Sequence, residues 1–434
     1  MGRLLLATLG SLGDLHPYIA VGKALVARGQ RVRLATSSEY RARVEAAGLE
    51  FAPLAPSLEE LGEKSYIARR FFAGWAGPRR LIRTMVVTPL RRAYGDLRVA
   101  MEGTDLVVSH PLTAALPLLA ESSGLPWLSS VLAPYSLFSM NDPSVIPKLE
   151  RLQRLPRSER WLQRPLLELV RRAVRRWERP LHALRAELGL PEISETLLMG
   201  GQFSSLGTLA LFDSVLAAPQ SDWPTQTLIC GAALHDASDP EQPTDPLQEK
   251  FQRFLSSGPP PLVFALGSSA VWLAKDYWKY AIAACETLGY RGLLLTGVPL
   301  EQPLPATVAA FDYLPYSSVF PHAAAVIHQA GVGTLSQALR SGRPQLMTPV
   351  GFDQPDNAAR AARLGIGRVL AFHRTHNKAR LVRELRALLG NPAHGRIAFE
   401  TAERLRSIDG AATAAQHVLQ VMSMITRREG GNFR

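Results

Sequence analysis

Short apolar runs alternate with segments of helical periodicity along both halves of the chain. Over residues 17–28, Tyr18, Val21 and Leu25 recur at the spacing of one helix face, and Gly29 supplies a helix end. Strand, helix and strand repeating in this way predict an α/β fold of doubly wound parallel sheets flanked by helices. The predicted strands are residues 4–9, 31–36, 51–54, 105–109 and 126–131 in the first half, and 262–266, 292–296, 309–314, 324–328 and 345–349 in the second.

A polar, proline-rich stretch without periodicity, HDASDPEQPTDP, separates the two halves. This composition is typical of a linker. The chain of 434 residues is also longer than one hydrophobic core usually supports, which predicts two domains. The predicted organisation is an N-terminal Rossmann-like domain over residues 1–234, a linker over 235–250, a C-terminal Rossmann-like domain over 251–410, and a C-terminal helix and tail over 411–434.

The formal net charge of +12 is concentrated in one segment. Residues 148–187 hold twelve Lys or Arg against five Glu, with apolar residues interleaved at helical spacing. Such a segment forms either a solvated helical face or a peripheral contact with anionic lipid. No helix-turn-helix, zinc-finger or RNA-binding signature accompanies the charge, so we do not expect a nucleic acid as partner.

Hydropathy indicates a cytoplasmic protein, with the inner face of a membrane as the alternative if the basic segment binds lipid. The apolar run at residues 4–9 is too short for a signal peptide or a membrane span. Prolines and Glu121 interrupt the leucine-rich residues 106–140, which therefore predict a buried strand, helix and strand. Two cysteines, Cys230 and Cys285, lie far apart and form no metal-ligand cluster.

The most informative stretch is AVIHQAGVGTLSQALRSGRPQLMTPVGFDQPDN, residues 325–357. A strand enters a glycine-rich turn and then a helix, whose free N–H groups and positive end can hold a phosphate. The next strand ends at Asp353 and Gln354, whose carboxylate and amide can fork onto sugar hydroxyls. The candidate phosphate-binding residues of the turn are His328, Gly331, Gly333 and Thr334.

Two other loops of the second half follow predicted strands. Ser268 and Ser269 offer hydroxyl and amide groups to the phosphates of a nucleotide-sugar donor, although Gly-Ser after a strand is common. Tyr313, beside Leu314, can stack on a nucleobase, although an aromatic residue there is as often part of the core.

In the first half, Gly10 and Gly13 permit a tight turn after the first strand, and Pro17 suits the first turn of a helix. Asp14 then lies near a helix start, as a candidate general base or as a helix cap, and both roles can coexist. His16 is an alternative base, an acceptor contact or a structural histidine.

A diphosphate and a sugar recognised side by side suggest a nucleotide-sugar donor, and the acceptor of its sugar is expected to bind beside Asp14 in the same half, through residues 66–101 and the loops after its strands. Apolar residues alternate there with paired arginines, which favours an amphiphilic acceptor such as a hydroxy fatty acid, another lipid or an aromatic natural product. The candidate acceptor-binding residues are Ser11, Gly13, His16, His110 and Tyr135.

Taken together, the motifs resemble those of the GT-B nucleotide-sugar glycosyltransferases that modify small lipophilic acceptors. The resemblance covers essentially the whole chain, and within the family it is greatest to bacterial rhamnosyltransferases of mono-rhamnolipid synthesis. It is strongest at GSLGDLHP (residues 10–17), QRFLSSGPPPLVFALGSS (252–269), the block 328–357, and DNAARAARLG (356–365).

The resemblance implies two Rossmann-like domains facing each other across a cleft, and inverting transfer of a hexose or deoxyhexose from a TDP- or UDP-linked sugar to a hydroxyl group. It places Asp14 as the general base. No D-x-D occurs, so neither a tightly bound metal nor another cofactor is expected. The implied donor contacts are His328 and residues 331–334 for the diphosphate, Ser268 and Ser269 for a second phosphate loop, Tyr313 and Leu314 for the nucleobase, and Asp353 and Gln354 for the sugar.

Two residues depart from the family pattern. Ala330 stands where many relatives carry glycine, and Tyr313 replaces the tryptophan of plant enzymes, which leaves thymine and uracil open as the base. Rival classes are disfavoured because the first loop lacks G-x-G-x-x-G and no G-x-S-x-G occurs. A GT-B epimerase acting on nucleotide sugars and a catalytically silent nucleotide-sugar binding protein stay open as alternatives.

Overall fold

The apolar run near the N-terminus forms an inner strand of a parallel sheet. The computed structural model describes residues 2–145, 164–236, 246–274, 276–300 and 303–431. The chain divides into two units, one made of Met1–Leu234 with Asp409–Arg434 and the other of His235–Ile408. Of the predicted linker, residues 237–245 lie outside the described residues, as do residues 148–163 of the basic segment.

The first unit contains a seven-stranded parallel sheet of order β3-β2-β1-β4-β5-β6-β7, counted over the described residues. β4 is buried along its whole length, and β1 and β5 are buried except at their first residue, as is typical of parallel strands covered on both faces. The strands are β1 (Arg3–Ala7), β2 (Arg31–Thr36), β3 (Glu50–Pro53), β4 (Leu106–Ser109), β5 (Trp127–Val131), β6 (Thr208–Ala210) and β7 (Thr227–Ile229).

Helices connect these strands and cover both faces of the sheet. A π-helical turn, Arg83–Val87, follows the fourth of them. The helices are α1 (Leu12–Val26), α2 (Arg41–Ala46), α3 (Lys64–Phe71), α4 (Gly77–Ile82), α5 (Leu90–Ala100), α6 (Ala115–Ser123), α7 (Arg164–Trp177) and α8 (Arg179–Glu187).

The second unit is built on a six-stranded parallel sheet of order β10-β9-β8-β11-β12-β13, again within the described residues. Alternate residues of its central strand pack into two separate apolar clusters, Leu262 and Phe264 on one face and Val263 and Ala265 on the other. The strands are β8 (Leu262–Ala265), β9 (Gly292–Leu295), β10 (Val308–Phe311), β11 (Ala325–His328), β12 (Gln345–Met347) and β13 (Gly367–Val369).

The helices of this unit lie between and after the strands. They are α9 (Pro246–Ser256), α10 (Gly267–Ala270), α11 (Tyr277–Leu288), α12 (Tyr316–Val319), α13 (Val332–Arg340), α14 (Gln354–Leu364), α15 (Phe372–Thr375), α16 (Lys378–Leu389) and α17 (Pro392–Leu405).

The last helix, α18 (Gly410–Gly431), belongs to the first unit and packs against α1. Its first residue, Gly410, abuts the carbonyl of Gly231 so closely that a Cβ there would lie 2.2 Å from the oxygen. Only glycine fits this junction without displacing the backbone.

All ten predicted strands are present, and the doubly wound parallel architecture is confirmed. The leucine-rich residues 106–140 contain β4, α6 and β5, as predicted. The prediction missed β6, β7 and β13, which have three residues each. Among the described residues, the structure contains no helix with the length and apolarity that crossing a membrane requires.

The predicted start of the first helix was wrong. α1 begins at Leu12, and Pro17 lies in its interior instead of its first turn. The physical reason is a cap: Ser11 satisfies the first free N–H groups of the helix one turn earlier than the proline suggested.

Candidate active site

Asp14 lies in the first turn of α1, where it forms a capping box with Ser11. The Ser11 N–H donates to Oδ2 of Asp14 at 2.7 Å, and the Ser11 hydroxyl lies 3.1 Å from the same oxygen. In return, Oγ of Ser11 accepts from the N–H of Gly13 at 3.3 Å. Asp14 therefore has the capping role considered above, and that role occupies only Oδ2.

The other carboxylate oxygen of Asp14 faces His110, which follows β4. Nδ1 of His110 accepts from the N–H of Leu112 at 3.2 Å, so the neutral ring carries its proton on Nε2. This Nε2 lies 3.6 Å from Oδ1 of Asp14, just beyond direct hydrogen bonding. The two oxygens of Asp14 thus have different surroundings, and Oδ1 is the one that the cap leaves available.

Tyr18 holds the ring of His110 from the side. The two rings meet edge to face with centroids 5.8 Å apart, and the Tyr18 hydroxyl lies 2.5 Å from Oγ of Ser130. Burial raises the pKa of Tyr18 above its ordinary value, despite the hydrogen bond to Ser130. Tyr18 therefore stays neutral and serves as a wall for His110.

The remaining acceptor candidates lie along the same sheet edge. His16 is half-buried in α1, two residues beyond Asp14. Tyr135 lies in a short turn, Pro134–Leu137, after β5, which neighbours β4 and its following residue His110. The residues gathered at the start of α1 are Ser11, Gly13, Asp14 and His110.

Residues 66–101, expected to supply apolar acceptor walls, are partly core. The π-helical turn directs Met85 and Val86 inward, where they pack with the buried apolar cluster of the first unit. They also line a small cavity together with Leu9, Leu54 and Leu112. That cavity adjoins the ends of β1, β3 and β4, where the acceptor was expected.

His328, at the end of β11, is fully buried and neutral. Nδ1 accepts from the N–H of Ala330 at 3.1 Å, and Nε2 lies 3.0 Å from Oε1 of Gln345. Burial lowers the pKa of His328 to about 4, with the Gln345 hydrogen bond opposing the shift. Both ring nitrogens are engaged within the protein, so His328 shapes the turn and supplies no positive charge at neutral pH.

The turn that follows contains Ala330 in the left-handed region, with φ of +64°, and Gly331 as the N-cap of α13. Behind that cap, the first amides of the helix, including those of Gly333 and Thr334, have no acceptor within α13. The turn therefore presents a positive helix end without a side-chain cap.

Gln329 is a site residue that the sequence reasoning missed. Its Nε2 donates to Oγ1 of Thr334 at 3.1 Å, while its buried Oε1 has no partner among the described residues. A Cβ at Gly267 would lie only 2.2 Å from this Nε2, so the loop after β8 approaches Gln329 closely. The sequence signal for Gln329 was its position next to the glycine-rich turn. The phosphate contact was assigned to the neighbouring His328 instead.

Tyr316, at the start of α12, joins this cluster. Its phenol interacts with the side chain of Thr334 and the backbone of Gly267. Burial raises the pKa of Tyr316 to about 12, so the hydroxyl stays protonated. Polar groups from the loops after β8, β10 and β11 therefore meet at one edge of the second sheet.

The other donor candidates lie around this cluster. Ser268 is exposed and Ser269 half-buried in the single turn of α10. Tyr313 is 47% exposed after β10, whereas Leu314 packs in the apolar core, so its side chain is not at the surface. Exposed aromatic rings can stack on planar ligands.

The Asp353 carboxylate and the Gln354 amide, which follow β12, differ in the hydrogen bonds that they form within the protein. Gln354 uses Oε1 within its own loop, accepting from the N–H groups of Val350 at 2.9 Å and Gly351 at 3.4 Å. Asp353, the N-cap of α14, accepts from Nδ2 of Asn357 at 2.7 Å. Gln354 can therefore offer only its Nε2 to a ligand without rearrangement. In the described ranges, no three His, Cys, Asp or Glu side chains group as metal ligands.

Family models match both halves of the chain. The model of the glycosyltransferase family 28 N-terminal domain matches residues 4–101, and that of the C-terminal domain of erythromycin biosynthesis protein CIII-like proteins matches residues 296–421. The chain is 31% identical to the O-mycaminosyltylonolide 6-deoxyallosyltransferase of Streptomyces fradiae over 406 residues, which cover 90% of each protein. It is also 31% identical to glycosyltransferase GtfE of Amycolatopsis orientalis, over 84% of this chain and 85% of that protein.

Solved structures share the fold. The glycotransferase of kitacinnamycin superposes with a TM-score of 0.68 at 21% identity, covering 97% of this chain and 99% of that one. Glycosyltransferase VinC in complex with DTDP gives 0.67 at 19% identity, covering 97% and 100%. A relative 31% identical over 90% of the chain, with family models matched in both halves, shows that the chain belongs to the GT-B glycosyltransferases of the family 28 and erythromycin CIII-like type.

Proposed function

We propose that the protein is an inverting enzyme that moves a hexose or deoxyhexose from a TDP- or UDP-linked sugar to a hydroxyl of a lipophilic acceptor. The observation that carries the proposal is the polar cluster of the second sheet, where Gln329, Thr334 and Tyr316 adjoin the open N-terminus of α13. Such a cluster suits a diphosphate, and Asp353 lies one strand further along for the sugar.

Thymidine-linked donors are the first choice. Two structurally similar proteins form complexes with this nucleotide class, VinC with DTDP and the spinosyn rhamnosyltransferase SpnG with thymidine diphosphate. We propose the same nucleotide class here, with the exposed ring of Tyr313 against the base. Uridine-linked donors are the alternative to be compared.

The acceptor hydroxyl would be activated by Oδ1 of Asp14, since Oδ2 is held by the cap. As its O–H proton passes to Asp14, the acceptor oxygen bonds to the anomeric carbon. The bond from that carbon to the diphosphate oxygen breaks on the opposite face, and its electron pair leaves with the nucleotide. A single displacement of this kind inverts the anomeric centre.

The departing diphosphate would be stabilised by neutral groups. The amides opening α13 and the side chains of Ser268, Ser269, Gln329 and Thr334 are dipoles, and His328 is uncharged. Preorganised dipoles stabilise developing charge without reorganising during the reaction. The proposed chemistry therefore needs neither a bound metal nor another cofactor.

The acceptor is proposed to be an amphiphile. The apolar residues Leu9, Leu54 and Leu112 lie near the sheet edge that carries Asp14, and apolar walls there suit a hydrocarbon or ring system. A hydroxy fatty acid and a polyketide or macrolide aglycone both fit this description.

The test is a transfer assay with purified protein. A panel of TDP- and UDP-sugars is combined with hydroxy fatty acids, macrolide aglycones and short hydrophilic alcohols, and both nucleotide release and glycoside formation are measured. We expect a TDP-sugar to be used with a lipophilic acceptor, and a donor at 100 times its dissociation constant to stabilise the fold by about 2.7 kcal/mol. Binding without glycoside formation, or transfer to hydrophilic alcohols alone, would contradict the proposal.

A cytoplasmic location with peripheral contact to anionic lipid is part of the same proposal. In α7, Arg171, Arg172 and Arg176 are exposed, and Leu169, just before them in the same helix, is 64% exposed. Each basic residue near an anionic surface contributes about 1 kcal/mol. Sedimentation with phosphatidylglycerol vesicles, compared with phosphatidylcholine vesicles, tests it: equal recovery with both would remove the membrane from the proposal.

A further inference from the structure

Asn357 is a fully buried residue of α14 that none of the assigned roles uses. Its side-chain Nδ2 donates two hydrogen bonds, to the carbonyl of Ala330 at 3.0 Å and to Oδ2 of Asp353 at 2.7 Å. The Ala330 carbonyl belongs to the turn between β11 and α13 that is proposed to bind the diphosphate. Asp353 is the candidate contact for the donor sugar. One amide therefore joins the two halves of the proposed donor site.

The turn needs such a support because Ala330 has φ of +64°. A residue with a Cβ is strained in this conformation, which persists only where the surrounding structure holds it. Here the N–H of Ala330 donates to Nδ1 of His328, and its carbonyl accepts from Asn357. Both backbone polar groups of the strained residue are thus fixed by buried side chains.

Asp353 is held by the same amide. It is the N-cap of α14, and Asn357 lies one turn later on the same face. The donation at 2.7 Å is short, as bonds to an ionised carboxylate are. The rotamer of Asp353 is therefore tied to the position of the Ala330 carbonyl.

We propose that Asn357 is a positioning residue that couples recognition of the leaving diphosphate to recognition of the donor sugar. It holds Ala330 in the conformation that opens the N-terminus of α13, and it aims Asp353 at the sugar hydroxyls from the same atom. This inference rests on the proposed function, since it assigns both contacts to one donor. It predicts that the two parts of the donor are bound cooperatively.

The test is a double-mutant cycle on donor binding, with Asp353→Ala, Asn357→Ser and the double variant. Dissociation constants are measured for thymidine diphosphate and for the TDP-sugar that the transfer assay identifies. In the wild-type background, Asp353→Ala should weaken the TDP-sugar and leave thymidine diphosphate unchanged. With Asn357→Ser already present, the same substitution should cost about tenfold less, because Asp353 is no longer aimed. Equal losses in both backgrounds would overturn the coupling.

A rescue variant distinguishes positioning from a general loss of structure. Glycine adopts the left-handed conformation without strain, so Ala330→Gly should restore much of the thymidine diphosphate affinity that Asn357→Ser removes. It should not restore the additional affinity for the sugar. If Ala330→Gly rescues neither ligand, or both equally, Asn357 does not act in the proposed way.

Two controls complete the experiment. Asn377→Ser, at the N-cap of α16 in the same unit, changes an asparagine without touching the turn and should leave both constants unchanged. If Asn357→Ser does not fold by circular dichroism, the cycle is run with Asn357→Ala, whose side chain has no donor for either acceptor. A wild-type protein that binds no nucleoside diphosphate would refute the proposed function itself, whereas binding with additive losses refutes only the role of Asn357.

Discussion

His110 directs its Nε2 at Oδ1 of Asp14 across 3.6 Å, while the capping box at the start of α1 holds Oδ2. The tautomer is fixed, because Nδ1 of His110 already accepts from a backbone N–H. Protonating His110 would break that bond. In the proposed reaction the carboxylate is therefore the group that takes up the proton, and His110 orients it.

Replacing Asp14 with asparagine should lower the rate of glycoside formation by about 10²–10⁴-fold, because the proton acceptor is lost. The amide oxygen can still accept from the Ser11 N–H, so α1 keeps its cap and donor affinity should stay within about twofold. Steady-state kinetics and donor titration of the same preparation measure both quantities. Transfer at the wild-type rate would remove Asp14 from the mechanism.

His110→Phe keeps a ring against Tyr18 but removes the N–H that faces Asp14. We expect kcat to fall by between about 10- and 100-fold through misplacement of the carboxylate, with the KM for the donor unchanged. A parallel variant, His373→Phe, changes an exposed histidine of the other unit and should have no effect. A rise in the donor KM without a change in kcat would place His110 in substrate binding instead.

Gln329→Glu should abolish donor binding, because a carboxylate would then face the diphosphate. Like charges placed together cost several kcal/mol, which corresponds to a loss of at least about 100-fold in affinity. Gln416→Glu makes the same charge change at an exposed position of α18 and is the matched control. Isothermal titration with thymidine diphosphate measures both, and equal affinity in the two variants would exclude Gln329 from the phosphate site.

The buried His328 predicts a loss of stability in mild acid. Its pKa is about 4 in the folded protein against 6.5 for an ordinary histidine. Between these values the unfolded chain binds a proton that the folded one does not, so stability is full above pH 6.5 and falls toward pH 4, by up to about 3 kcal/mol. Above that window this group contributes no pH dependence.

The measurement compares urea unfolding of the wild type and His328→Asn at pH 7.5 and pH 5. Asparagine keeps an oxygen for the Ala330 N–H but does not titrate. The free energy of unfolding of His328→Asn should therefore differ less between the two pH values than that of the wild type. Subtracting the pH dependence of the variant from that of the wild type removes the contributions of the other titrating groups. If the free energy of unfolding depended on pH identically in both proteins, groups other than His328 would cause the loss of stability in acid.

Much of the fold could be predicted, because apolar runs such as residues 4–9 and 262–266 leave few alternatives to buried parallel strands. The missed strands β6, β7 and β13 have three residues each, too few for a run to stand out. The helix start was placed at Pro17 because proline favours a first turn, whereas the capping box of Ser11 and Asp14 decides it.

The candidate site was predicted at the level of loops and less well at the level of atoms. The turn after β11 was located from its glycines, but the sequence does not show which polar side chain turns inward. Both ring nitrogens of His328 form hydrogen bonds within the protein, while Gln329 lies beside Gly267 in the polar cluster with Thr334 and Tyr316. Asn357 could not be singled out either, because its role depends on a left-handed alanine that no local pattern predicts.

The packing of α18 against α1 has a consequence for biosynthesis. The N-terminal unit includes a helix that the ribosome makes only after all of His235–Ile408 has been translated. At usual elongation rates, α1 waits on the order of ten seconds or more without the helix that finally covers it. Nascent chains of this protein should therefore depend on chaperones over that interval, and the second unit can finish folding before the first.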